Sequence, residues 1–134
     1  QSGKTTYFKM LMNRIREQLR DALTVSSFDA ERKCTAHFCL SGEFVGFQGH
    51  FPGRPVLPGV CMLAAALVAV QDALGVTVHM EKVSSAKFFS PVLPDDKVRM
   101  EIQVDSVSTP AQIRVRLDKP EGRVAKLSVT IRQS

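Results

Sequence analysis

The residues best suited to chemistry lie in one stretch, Gly46-Phe47-Gln48-Gly49-His50-Phe51-Pro52-Gly53-Arg54-Pro55-Val56-Leu57-Pro58-Gly59-Val60. It sets a histidine on a loop stiffened by Pro52, Pro55 and Pro58, whose fixed φ lowers the entropy lost in holding one loop shape. Pro58-Gly59 then opens a run that is apolar from Val60 to Val70, the pattern of a helix start. The first amides of a helix have no intrahelical acceptor and sit at its positive end. The N–H groups of Gly59 and Val60 are therefore placed to stabilise a developing negative charge. Phe47 and Phe51 supply His50 with apolar neighbours. Desolvation and the positive helix end both favour the neutral imidazole, a base ready to take a proton at pH 7. A base beside an oxyanion donor suits proton abstraction next to a thioester carbonyl.

Other candidate residues read more plainly. His37 and His79 fall on the polar faces of strand-like segments and are expected at the surface. Cys34, Cys39 and Cys61 are odd in number and cannot all pair. They fit reduced thiols packed in the core of a cytoplasmic protein. With the histidines they show no paired ligand spacing, so no metal site and no cofactor is expected. Glu43, seven residues before His50, is expected to be exposed at a strand edge, the alternative being an acid supplied to the site from the loop.

The elements that must position the site follow from length and periodicity. The 134 residues suit one domain, 1–134, with Gln1-Ser2-Gly3 read as a tag remnant without structural weight. No secretory signal is visible, and the longest apolar run, eleven residues, falls short of the roughly 20 of a membrane span. Eighteen basic against 13 acidic residues give +5, yet there is no Trp, one Tyr and no basic run longer than two. The stacking and basic groove of a nucleic-acid binder are missing. Residues 5–23 place Phe8, Leu11, Ile15, Leu19 and Ala22 or Leu23 at helical steps, an amphipathic surface helix broken by residues 26–30. Strand alternation follows in residues 32–40, from Val76 to Glu81, in 87–92, from Lys97 to Val104, from Ile113 to Asp118 and from Lys126 to Arg132. Lys119-Pro120-Glu121-Gly122 joins the last two as a turn. A helix apolar on every side is expected to be buried on every side. The result is an α+β architecture, an antiparallel sheet wrapped around one central helix. Its strand edges need cover, which a dimer provides.

Two blocks resemble a known family. Gly49-His50-Phe51-Pro52, then Pro55, then Pro58-Gly59-Val60 resembles the hot-dog-fold 3-hydroxyacyl-[acyl carrier protein] dehydratases of fatty acid synthesis. Lys87-Phe88-Phe89-Ser90-Pro91-Val92-Leu93-Pro94-Asp95-Asp96 resembles that family's strand and turn after the central helix. The resemblance covers about residues 31–133. It implies the hot-dog fold, with His50 as catalytic base and the Gly59 amide holding the thioester carbonyl. The family's second catalytic group is a Glu or Asp fourteen residues after the His. That position is Ala64 here, and the Gln that commonly follows is Val68. Phe47, Phe51, Pro58, Val60, Leu63 and Ala64 are then expected to bind substrate. Met62, Leu63 and Leu67 read as core, with a share in an acyl tunnel. Arg54 is either solvated surface or an anchor for a pantetheine phosphate.

A dehydratase acting on an acyl-carrier-protein thioester is the leading expectation, forming the trans-2-enoyl thioester. A homodimer is expected with it. Two alternatives stay open. One is a non-catalytic acyl-binding subunit, or one half of a heterodimer whose other subunit brings the acid. The other is a hot-dog thioesterase, which the alanine at position 64 disfavours equally.

Overall fold

The helical spacing near the N-terminus forms α1 (Ser2–Ala22) in the computed structural model, which describes residues 2–48, 53 and 55–134. Ile15 and Leu19 are buried, as the spacing predicts. Phe8 is not: it is 60% exposed, because the first turns run past the edge of the core. The helix also starts three residues earlier than expected, at Ser2 rather than Thr5, taking in Gly3.

The apolar run forms α2 (Gly59–Leu74), led in by Pro58 and ended by Gly75. Gly75 adopts φ 73°, a left-handed geometry that favours glycine, and its N–H donates to the Gln71 carbonyl at 2.9 Å. The expectation that α2 is buried on all sides needs correcting. Residues 64 to 70 are buried, but Val60 is 50% exposed and Leu63 half-buried. A sheet covers one side of a helix, and α1 covers only part of the other.

Six strands complete the fold: β1 (Thr24–Val25), β2 (Lys33–Cys39), β3 (Val78–Phe88), β4 (Lys97–Val104), β5 (Ala111–Lys119) and β6 (Gly122–Gln133). They form one antiparallel sheet in the order β1-β2-β4-β5-β6-β3. Period-two alternation turns Val98, Met100, Ile102 and Val104 of β4 inward, with Ile113, Val115 and Leu117 of β5 and Leu127, Val129 and Ile131 of β6. These pack with α2 in one core, each large buried side chain contributing about 1.5–3 kcal/mol. Lys119 pairs with Gly122 across the expected turn. This is the hot-dog fold.

Three expectations are revised. Residues 76–81 and 87–92 are not separate strands; β3 runs through from Val78 to Phe88, with register shifts after Met80 and Val83. Its alternation is blurred because it is the edge of the sheet and nearly all of it is exposed. The two-residue β1 was not anticipated, being too short to show a period. Cys34 and Cys61 are buried free thiols, but Cys39 is exposed on the outer face of β2.

Candidate active site

A short 3₁₀ turn, Val45–Phe47, leads into the site segment. Phe47 is buried and meets Phe44 edge-on, with ring centroids 5.6 Å apart and planes at 87°. It anchors the turn from inside the core. The Val45 N–H donates to Gln18 Oε1 at 2.9 Å, tying the turn to α1. His50, Phe51 and Arg54 lie outside the described residues.

Gly46 is packed so tightly that a methyl group would come within 2.8 Å of Cys61 Sγ and closer still to the Phe44 ring. Both neighbours are buried and cannot yield freely. We expect Gly46→Ala to destabilise the fold by about 1–3 kcal/mol. Thermal melts should show Tm lowered by about 4–10 °C; an unchanged Tm would mean the turn relaxes without strain.

The start of α2 has the features expected of an oxyanion donor. Pro58 occupies the N-cap with no side-chain hydrogen bond. Its carbonyl takes the Cys61 and Met62 amides at 3.0 and 3.3 Å. The amides of Gly59 and Val60 have no acceptor among the described residues. Over Gly59 lies the ring of Phe88, placed so that an added methyl group would stand 2.8 Å from its Cζ. Phe88 ends β3 and is half exposed. It was not picked out as a site residue from the sequence, although the second family block contains it.

The segment after Phe88 holds this arrangement in place. The Leu57 N–H donates to the Val92 carbonyl at 2.8 Å, fastening the approach to α2. Asp96 accepts the Leu93 N–H at 2.9 Å and a bond from Lys119 Nζ at 3.2 Å. The Leu93 amide, and after it Lys119, holds the Asp96 carboxyl below its usual range. Beneath the helix start, burial pushes the Cys61 thiol up to about 11. It stays protonated at neutral pH and is no nucleophile. Cys34 is pushed up to about 11 in the same way, by burial and then by Asp29. Among the described residues no group of His, Cys, Asp or Glu is arranged to hold a metal.

Val60, Leu63, Ala64 and Leu67 form the floor of a cleft of about 680 Å³. Its far wall comes from α1, through Met12, Arg16 and Glu17, and from the start of β3. A second cleft of about 630 Å³ lies at the start of α2, between Pro58 and Val60 on one side and Tyr7, Phe8 and Leu11 on the other. Met12 and Val60 line both. The structure thus brings Val60, Leu63 and Ala64 together on one face of α2, with Pro58 and Gly59 at its head. Ala64 is 6% exposed and presents a methyl to the first cleft. The carboxylate on α2 itself, Asp72, borders a different depression beside Arg20 and Val76.

A family model for the ApeI dehydratase matches residues 26–127, from before β2 into β6. The chain belongs to the ApeI-like dehydratase family. Its curated relatives include 3-hydroxyacyl-[acyl-carrier-protein] dehydratases FabZ. That of Caulobacter vibrioides NA1000 is 42% identical over 75 residues, covering 49% of this chain and 47% of the relative. That of Enterococcus faecalis V583 is 35% identical over 92 residues, covering 63% and 65%. The chain spans about half the length of the first of these. Among solved structures, the dehydratase heterocomplex ApeI:P from Xenorhabdus doucetiae superposes with a TM-score of 0.70 at 20% identity, over 81% of this chain and 93% of that one. The PaaI protein of E. coli does so at 0.63 and 13%, over 98% and 99%. For this ApeI-like chain the two structures establish the shared fold. Among the described residues no helix is long and apolar enough to cross a membrane.

Proposed function

We propose that this ApeI-like chain is a dehydratase of 3-hydroxyacyl thioesters carried by acyl carrier protein. The observation that carries this reading is the pair of amides at Gly59 and Val60, without an acceptor among the described residues and nine and ten residues after His50, in a chain that matches a dehydratase family. His50 removes the C2 proton, and the Gly59 N–H steadies the enolate-like oxygen. Loss of the C3 hydroxyl as water then forms the trans-2-enoyl thioester. Phe51, Pro58, Val60, Leu63 and Ala64 line the acyl path, and Arg54 meets the carrier's phosphate. Incubating the purified protein with a 3-hydroxybutyryl thioester and following water loss by mass spectrometry tests this. Enoyl product is expected; none from either this protein or its Ala64→Glu variant would overturn it. The proposal extends to a cytoplasmic setting, which suits three free thiols, two of them buried.

The methyl at position 64 favours a second reading, in which the chain is half of a split site. A similar solved structure is a dehydratase heterocomplex, which supports it. In both readings a second hot-dog subunit covers the open edge of β3, where Val83, Phe88 and nearby Phe89 are 41–54% exposed, and the exposed Val60. Light scattering at micromolar concentration should report a dimer. A monomer would count against a site shared between two copies of this chain.

A further inference from the structure

The dehydratase reading leaves the departing hydroxyl without a proton donor on α2, yet a carboxylate from another element borders the same cleft. Glu17 of α1 lines it together with Leu63, Ala64 and Leu67. Of the described residues that do so, Glu17 is the one acid. It is exposed and makes no ion pair or hydrogen bond among the described residues.

The flanking depressions show how the helices lie. At one end Leu11 and Met12 share a cleft with Pro58 and Val60. At the other, Arg20 borders Val68 and Gln71. The two helices therefore run side by side in the same direction. Counted from Met12 and Val60, which line both clefts, Glu17 lies five residues on, about 7.5 Å, and Ala64 four, about 6 Å. Glu17 thus lies near the level of Ala64 along the helices, and both border the same cleft.

We infer that Glu17 is the general acid of this chain, a substitute in cis for the carboxylate that position 64 lacks; the inference rests on the dehydratase reading. In its protonated form Glu17 gives its proton to the C3 hydroxyl as the C3–O bond breaks. The electron pair of the former C2–H bond becomes the C2=C3 double bond, and water leaves. The carboxylate and the protonated base return to their starting states by exchange with solvent. The residue belongs to a helix that precedes the family match at residues 26–127, so the family pattern does not assign it.

The test is a two-by-two comparison of Glu17→Gln and Ala64→Glu, assayed with a 3-hydroxybutyryl thioester. Glu17→Gln should lower kcat about tenfold or more with KM changed less than about twofold. In the Ala64→Glu background the same change should cost less than about threefold, because that variant carries its own acid. Glu17→Asp should recover part of the rate, an arm that holds even if Ala64→Glu fails to fold. Wild-type turnover that survives Glu17→Gln unchanged overturns the inference and leaves the dehydratase reading standing. An inactive wild type with an active Ala64→Glu variant does the same. Inactivity of both overturns the two together.

Discussion

Replacing His50 with alanine should lower turnover of a 3-hydroxyacyl thioester by about 10²–10⁴-fold, the contribution of one positioned acid–base group. The C2 proton of a thioester is weakly acidic, so removing it needs a base and a stabilised oxyanion at the same moment. His50 would be the base, and the Gly59 and Val60 amides at the head of α2, which have no acceptor among the described residues, the oxyanion donors. The alanine variant keeps those amides, so substrate affinity should change far less than kcat. The core is built from aliphatic and aromatic side chains such as Phe44, Met100 and Ile131, and melting should be unaltered. Water addition to a crotonyl thioester gives a convenient assay of the reverse reaction. A variant that adds water at the full rate would remove His50 from the role of base.

The second large effect is expected in the opposite direction. Where Glu17 is already replaced by Gln, Ala64→Glu should raise the rate by about an order of magnitude. Its side chain would project from the floor of the 680 Å³ cleft, whereas Glu17 approaches from the α1 wall. The substitution carries a stability cost, because Ala64 is only 6% exposed and its neighbours Leu63 and Leu67 are apolar. A carboxyl group there must find a hydrogen-bond partner or hold its proton more tightly. Tighter proton binding suits a general acid, so a lower Tm and a higher rate should appear together. A wild type already as fast as an ordinary dehydratase, and indifferent to the substitution, would mean that an acid is already in place and no split site is needed. A folded but inactive variant would favour the acyl-binding subunit.

Much of the architecture was legible before any coordinates. Alternation in β4, β5 and β6 marked the packed side of the sheet, since residues two apart share a face. The run from Val60 to Val70, bracketed by Pro58 and Gly75, marked the central helix, because proline and glycine punctuate helices through their backbone geometry. The motif around His50 and Gly59 marked the candidate chemistry, because its residue types and spacing are local. The absence of a carboxylate at position 64 was equally plain. What local pattern did not carry was the outcome of packing between distant segments. The open face of α2 at Val60 and Leu63 exists because the sheet covers only one side of a helix, a fact about three dimensions. Phe88 reaches Gly59 only because β3 ends beside the start of α2. Glu17 meets the level of Ala64 only because α1 lies along α2. Residues 47 positions apart in sequence show no shared period, so their meeting is decided by how the helices pack.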